Sequence, residues 1–91
     1  DVLKQLSKTL EQRKSASADQ SYVAQLHEKG LNKILEKVGE EATEVIVAAL
    51  AQSREEQIGE LADLFYHTLV LMADMDISLN DLNAELEKRH K

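Results

Sequence analysis

The 91-residue sequence contains no cysteine and no proline, only three glycines, and aromatic residues make up just 3% of it. Without cysteine, the chain can form neither a disulfide framework nor a thiolate metal site. Proline and glycine are the residues that interrupt helices most strongly, so their scarcity favours helix along most of the chain. The composition therefore predicts an all-α protein.

An excess of positive charge is also lacking, since 17 acidic residues outnumber 11 lysines and arginines and the formal net charge is -6. Binding of nucleic acid requires a basic patch, so nucleic acid is not an expected partner. A phosphate-bearing substrate is still compatible with this charge, because a bound metal ion can supply the missing positive charge.

Long apolar runs are absent too. No run approaches the roughly 20 residues that span a bilayer, and no signal peptide is visible, so we expect no membrane partner and a cytoplasmic location. The chain begins at Asp1 rather than at a methionine, and residues before it are expected to be missing.

The length bounds the architecture. Ninety-one residues make one domain, 1–91, and a chain this small buries only a modest core by itself. Oligomerisation is a common way to complete such a core. We therefore expect an antiparallel helical bundle of about five helices, two of them long and central, completed by homodimerisation.

Helical spacing of apolar residues and local capping signals divide the chain into helices. The predicted helices cover residues 2 to about 13, 22–29, about 31–51, 54 to about 74, and a stretch after Ser78. Serine can cap a helix start at Ser21, Ser53 and Ser78, and Gly30 can end the second helix. Glu56 lies three residues after Ser53, which is the capping-box pattern.

The segment 15–21, Ser-Ala-Ser-Ala-Asp-Gln-Ser, is small and polar. This composition predicts a mobile loop. The loop can be a plain connector, or it can be a flap over a site, because loops often carry functional residues.

The third predicted helix is apolar on two sides, which indicates a bundle core on one side and a subunit interface on the other. Its wide apolar face comprises Ile34, Leu35, Val38, Ala42, Val45, Ile46 and Ala49, and its far side carries Val47 and Leu50. In the last helix, Leu79, Leu82 and Leu86 form an apolar stripe.

Carboxylates interrupt both long helices at one spacing. Glu41 and Glu44 are three residues apart, as are Glu60 and Asp63, so the members of each pair share a surface. Antiparallel helices pack with axes about 8–10 Å apart, which allows the two pairs to converge on one site. The alternative is that these are solvated glutamates or partners in ion pairs, such as Lys37 with Glu41.

Four converging carboxylates cannot all stay ionised without a cation, because like charges raise one another's pKa and desolvation adds to the cost. Mg²⁺ prefers oxygen ligands and keeps coordination positions open for water and substrate phosphates. Mn²⁺ accepts the same donors. The pattern therefore predicts a divalent metal site that acts on a phosphoanhydride.

Several neighbouring residues are candidates for the chemistry. Glu40 lies outside the two i,i+3 carboxylate pairs and can accept the proton of an attacking water, or it can simply pair with Lys37. Lys37 lies between Glu41 and Glu44 in projection, so its ammonium can reach a bound phosphate, although a simple ion pair explains it equally well. Lys33, one turn earlier, is a weaker candidate and can pair with Glu36.

Two further side chains are candidates for contact with the substrate. His67 shares a helix face with Glu60 and Asp63, where it can hydrogen-bond a metal ligand or the substrate. It can also be a packed histidine. Tyr22 can stack or hydrogen-bond beside the predicted loop, or it can anchor the core.

The carboxylate spacing resembles the signature of a known superfamily. Glu40-Glu41-x-x-Glu44 followed by Glu60-x-x-Asp63 is similar to the motif of the all-α, MazG-like nucleoside triphosphate pyrophosphohydrolases. The flanking residues resemble more closely the phosphoribosyl-ATP pyrophosphohydrolases, which carry out the second step of histidine biosynthesis. The resemblance covers nearly the whole chain, and its most specific parts are Lys37-Val38-Gly39 before the first pair and Tyr66-His67 after the second.

The resemblance implies an interlocked helical homodimer that hydrolyses the α–β phosphoanhydride of phosphoribosyl-ATP to phosphoribosyl-AMP and pyrophosphate. Carried onto this chain, it implies that the Mg²⁺ ligands are Glu41, Glu44, Glu60 and Asp63. The family also occurs fused to the cyclohydrolase of the next step, so this chain would be the stand-alone form. Two alternatives are a house-cleaning nucleoside triphosphate pyrophosphohydrolase and a non-catalytic helical dimerisation module.

Overall fold

The computed structural model describes residues 1–14 and 21–90, which form five α-helices and no strand. The helices are α1 (Val2–Arg13), α2 (Tyr22–Lys29), α3 (Leu31–Ala51), α4 (Arg54–Asp74) and α5 (Leu79–Arg89). This confirms the predicted all-α fold with two long central helices. Of the predicted loop at 15–21, Ser21 is the N-cap of α2 and 15–20 lie outside the described residues.

The helices begin where the sequence supplies capping groups. The side chain of Ser21 accepts a hydrogen bond from the backbone amide of Ala24. Ser53 and Ser78 each form a full capping box with the acidic residue three positions later. These bonds satisfy amides that the first turn of a helix leaves without partners, which is why the predicted helix starts are confirmed.

Gly30 separates α2 from α3 with a single residue. Its backbone has φ 98° and ψ 175°, a conformation that only glycine adopts without strain. Its amide donates to the carbonyl of Leu26, and its own carbonyl accepts from Lys33 and Ile34. One glycine therefore ends one helix and starts the next.

α3 and α4 form an antiparallel hairpin joined by Gln52 and Ser53. The side-chain amide of Gln57 fastens this turn by donating to the carbonyl oxygens of Ala48, at 3.1 Å, and Gln52, at 3.3 Å. Positions that lose solvent exposure recur every three or four residues on each helix: Ile34, Val38, Glu41, Val45 and Ala48 on α3, and Gln57, Glu60, Leu64, His67 and Leu71 on α4. Glu41 and Glu60 thus occupy seam positions of the hairpin.

The hydrophobic core lies toward the end of the hairpin remote from its turn. α1 packs against α4, and α2 packs against α3. The core cluster consists of Leu10, Val23, Leu26, Ile34, Leu69, Val70 and Met72. Two polar contacts lie at this end of the hairpin. Nζ of Lys14 donates to the carbonyl oxygen of Ala73 at 2.7 Å, and Nδ1 of His27 lies 2.9 Å from a carboxylate oxygen of Asp74.

Within one chain, the predicted apolar face of α3 is covered only in part. Of its seven residues only Ile34 is buried, while Leu35, Ile46 and Ala49 are exposed. Ala48, which the prediction left off this face, is buried at 1% exposure. The reason is that α4 covers a narrow seam of α3, and α2 covers only the end near Ile34.

A large apolar surface is left uncovered within one chain. Its exposed members on α3 and α4 include Ile46, Val47, Leu50, Ile58, Leu61 and Phe65. The predicted apolar stripe of α5 is also partly uncovered. Leu79 packs against the core, but Leu82 and Leu86 are exposed to solvent. No helix in the described ranges is both long enough and apolar enough to cross a membrane.

Candidate metal centre

The hairpin brings together carboxylates from both long helices. Glu41 on α3 and Glu60 and Asp63 on α4 each offer an oxygen, and these oxygens lie within 4.8 Å of one another. Glu41 and Glu60 are half-buried, whereas Asp63 is exposed. The tight turn at Gln52 and Ser53 sets the register that aligns the two i,i+3 pairs.

Glu44 lies beside this cluster rather than in it. Burial in the seam raises the pKa of Glu60, and the charges of Glu44, Asp63 and Glu41 raise this pKa further. Among the neighbouring charges, that of Glu44 raises the pKa of Glu60 most, so Glu44 is near enough for its charge to act on Glu60. The structure therefore brings together three of the four predicted ligands, Glu41, Glu60 and Asp63. The fourth, Glu44, is outside this group, but its charge acts on Glu60.

The cluster fits a hard divalent cation. Ligand oxygens on one Mg²⁺ sit about 2.0–2.1 Å from the ion, so any two of them are at most about 4.2 Å apart. Oxygens within 4.8 Å of one another need only small side-chain rotations to reach that spacing. All three donors are carboxylate oxygens, which suit Mg²⁺ and Mn²⁺ and not softer metals. Burial and then the repulsion of neighbouring carboxylates raise the pKa of Glu60, and a bound cation would offset both effects.

Both candidate lysines form ion pairs along α3. Nζ of Lys37 lies 3.1 Å from Oε2 of Glu40, and Nζ of Lys33 lies 3.2 Å from Oε1 of Glu36. The hydrogen bond to Glu40 and the nearby phenol of Tyr22 raise the pKa of Lys37, and the charge of Glu41 adds to this. Lys37 is therefore a cation next to the carboxylate cluster, whereas Lys33 is one turn further away.

His67 and Tyr22 are joined to each other. The Tyr22 hydroxyl lies 2.9 Å from Nε2 of His67, and Nδ1 of His67 lies 2.9 Å from the backbone carbonyl oxygen of Asp63. Tyr22 is 46% exposed, but His67 is only 7% exposed. His67 therefore hydrogen-bonds the backbone of the candidate ligand Asp63 and not its carboxylate. It is also packed, as the alternative interpretation expected, and its proposed role stays a prediction.

Part of this arrangement had no signal in the sequence. Tyr22 and His67 are 45 residues apart, and no spacing rule connects them. The bond from His67 to Asp63 was foreseeable, because residues four apart on a helix are neighbours. A groove of about 490 Å³ between α1 and the start of α5 is remote from the site, and no predicted site residue lines it.

The sequence matches one protein family along almost its whole length. The family is described as phosphoribosyl-ATP pyrophosphohydrolase, and the match covers residues 3–90. Because this match spans most of the chain, the carboxylate motif and the flanking residues are matched together.

Individual relatives carry related names. The chain is 51% identical over 89 residues to the phosphoribosyl-ATP pyrophosphatase of Geobacter metallireducens, with 98% of this chain and 82% of the relative covered. It is 50% identical over 93 residues to that of Hydrogenovibrio crunogenus, with the same shares covered. It is also 45% identical over 91 residues to the histidine biosynthesis bifunctional protein HisIE of Caldanaerobacter subterraneus, covering 100% of this chain and 44% of that protein.

Proposed function

Because the chain belongs to the phosphoribosyl-ATP pyrophosphohydrolase family, we propose that it hydrolyses the α–β phosphoanhydride of phosphoribosyl-ATP. The products are phosphoribosyl-AMP and pyrophosphate, and the reaction is the second step of histidine biosynthesis. The observation that carries the proposal is the cluster of Glu41, Glu60 and Asp63, whose oxygens lie within 4.8 Å of one another. Carboxylates gathered on the seam of two helices are costly to a fold unless they bind a cation.

The proposed metal is Mg²⁺, with Mn²⁺ as a substitute. Glu41, Glu60 and Asp63 would hold it, and Glu44 would complete the ligand set from its position beside Glu60. When bound, the cation would neutralise charge on the phosphate oxygens and polarise the phosphorus toward attack.

Lys37 and Glu40 are proposed to act as a pair. The Lys37 ammonium is kept protonated by Glu40 and lies beside Glu41, so it can donate to a phosphate oxygen. As the phosphate draws this ammonium away, the Glu40 carboxylate becomes free to accept the proton of the attacking water. The water oxygen then bonds to one phosphorus of the α–β anhydride, the P–O bond of the anhydride breaks, and the departing phosphate oxygen takes the bonding electrons.

The remaining substrate contacts are assigned by position. Lys33 lies one turn before Lys37 on α3 and can exchange Glu36 for an outer phosphate. The exposed part of the Tyr22 ring can contact the nucleoside portion. For His67 a direct contact has less support, because both of its ring nitrogens already have partners.

Two copies are proposed to associate through the uncovered apolar faces of α3 and α4. Exposed side chains such as Leu50, at 83%, and Ile46, at 61%, support this, since monomeric proteins seldom leave so many large apolar residues uncovered together. A second copy is the occupant that a small chain with a modest core most often uses. The cytoplasm is the proposed location, because a highly charged phosphoribosyl nucleotide does not cross membranes freely.

The test is pyrophosphate release from phosphoribosyl-ATP by the purified full chain, with Mg²⁺ and then with excess EDTA. Release that requires Mg²⁺ supports the proposal. Equal or faster release from ATP, GTP or dUTP would indicate a house-cleaning pyrophosphohydrolase instead. No release from any of these substrates would leave the dimerisation module as the remaining function and would overturn the proposal.

A further inference from the structure

His67 forms two hydrogen bonds whose directions are fixed by chemistry. The carbonyl oxygen of Asp63 can only accept, so Nδ1 of His67 carries a proton and donates to it across 2.9 Å. In the neutral ring, Nε2 is then the acceptor, and the Tyr22 hydroxyl donates to it across 2.9 Å. The hydrogen bonds run in one direction, from Tyr22 through His67 to Asp63.

The imidazole ring is also held on its sides. Tyr22 meets it edge-on, with ring centroids 5.9 Å apart and planes at 89°. Tyr66 meets it at 5.4 Å and 72°. The ring is buried, has two aromatic neighbours and has a partner at each nitrogen, so the orientation of the His67 ring is fixed.

The fixed His67 ring stabilises the turn of α4 that carries Asp63. In an α-helix, the carbonyl of residue 63 faces the amide of residue 67, and the imidazole gives that carbonyl a second donor. Asp63 is the exposed member of the carboxylate cluster, whereas Glu41 and Glu60 are half-buried. Asp63 therefore has the least packing to hold its carboxylate in place and depends most on its backbone.

The same network ties three helices together at the site. Tyr22 is the first residue of α2, and its phenol lies close enough to Lys37 on α3 to influence that ammonium. Through His67 it reaches α4. The position of α2 is thus coupled to the turn that presents Asp63.

We infer that Tyr22 and His67 are positioning residues that hold the Asp63 turn in the geometry needed to bind a divalent cation. This inference rests on the proposed function, since it assumes that the cluster binds a metal. Groups that orient a metal ligand from outside typically change metal affinity about 10–100-fold when they are removed. Neither residue is expected to be a ligand itself.

The test is calorimetric titration of Mn²⁺ into the metal-free full chain and its variants. Tyr22→Phe removes only the hydroxyl, and we expect it to weaken Mn²⁺ binding about tenfold. Tyr66→Phe is the matched control, because it also deletes a hydroxyl from a ring that touches His67, and among the described residues no hydrogen bond to that hydroxyl is seen. We expect this control to bind Mn²⁺ like the wild type.

His67→Phe supplies a second variant that removes both hydrogen bonds and keeps a ring. It should weaken Mn²⁺ binding at least as much as Tyr22→Phe, and combining the two should add nothing, because the hydroxyl has already lost its partner. A role in folding alone would lower the melting temperature and leave the dissociation constant for Mn²⁺ unchanged.

The outcomes separate the inference from the function beneath it. If the wild type binds Mn²⁺ and Tyr22→Phe binds it equally well, the inference is overturned and the metal site stands. The inference is also overturned if Tyr66→Phe weakens binding as much as Tyr22→Phe. A wild type that binds no Mn²⁺ overturns both the inference and the proposed metal site.

Discussion

A carboxylate oxygen of Glu41 on α3 lies within 4.8 Å of one from Glu60 on α4, across the seam where the hairpin helices pack. Apolar residues usually occupy such seam positions, but here the side chains are carboxylates. Burial in the seam raises the pKa of Glu60, and the neighbouring carboxylates raise it further. The metal-free fold therefore carries an electrostatic cost at the position where a cation is proposed to bind.

Replacing Glu60 with glutamine should remove this cost. At pH 7 and without metal, Glu60→Gln is expected to melt at a higher temperature than the wild type, because the amide is neutral and of similar size. Saturating Mg²⁺ should raise the melting temperature of the wild type by mass action and that of the variant much less. Thermal unfolding followed by circular dichroism measures both effects.

Glu87→Gln is the matched control, since Glu87 is an exposed residue of α5 outside the cluster. It should keep the Mg²⁺ response of the wild type. A Glu60→Gln variant that is destabilised without metal, or that responds fully to Mg²⁺, would refute the electrostatic account.

The same residue predicts a pH dependence. The pKa of Glu60 is higher in the folded chain than in the unfolded chain, so the fold favours its protonated form. Its ionisation destabilises the fold as pH rises above the ordinary glutamate pKa of about 4.3. Melting temperatures of the metal-free wild type and Glu60→Gln should therefore nearly agree at pH 4 and separate by pH 7. Curves that stay parallel across this range would contradict the prediction.

Gly30 predicts a backbone effect on stability. A Cβ at this position would meet no atom within 4 Å, yet the backbone conformation is one that only glycine adopts easily. Gly30→Ala should therefore cost about 1–3 kcal/mol. Gly39→Ala, inside α3 with equally open space around it, should instead stabilise the chain by about 0.5–1 kcal/mol. Urea unfolding compares the free energies of unfolding of the two variants with that of the wild type. A Gly30→Ala variant as stable as the wild type would contradict the claim that the backbone conformation at this position requires glycine.

The uncovered apolar faces predict self-association. Phe65 on α4 is 53% exposed in one chain, so it should be covered in a dimer. Phe65→Glu would place a charge in that interface and should shift the protein to monomer in sedimentation velocity. Gln25→Glu, a charge added at an exposed polar position of α2, should leave the dimer intact. A wild type that sediments as a monomer at high concentration would contradict the proposed dimer.

The parts of the fold that could be predicted are those encoded by neighbours in sequence. Helix boundaries followed from Ser21, Ser53, Ser78 and Gly30, because a cap or a break is a property of a few adjacent residues. The carboxylate cluster followed from two i,i+3 pairs, because helical spacing and a tight hairpin turn bring them into register.

The parts that could not be predicted depend on where separate helices lie. The burial of Ala48 and the exposure of Ile46 reflect which side of α3 meets α4, and the periodicity of a helix that is apolar on two sides does not choose between them. The bond between Tyr22 and His67 reflects the docking of α2, which no local pattern encodes.

The most direct measurement of the central claim is the rate of pyrophosphate release from phosphoribosyl-ATP by Asp63→Asn at saturating Mg²⁺. The substitution keeps the size of the side chain and removes one charged oxygen from the cluster, so the rate should fall by at least about 100-fold while the protein stays folded. Asp76→Asn is the control, because Asp76 pairs with Lys14 at the far end of α4, and asparagine tolerates its positive φ of 56°. The predicted result is a control that keeps the wild-type rate and an Asp63→Asn variant that is slower by at least about 100-fold. An Asp63→Asn variant as active as the wild type would contradict the account.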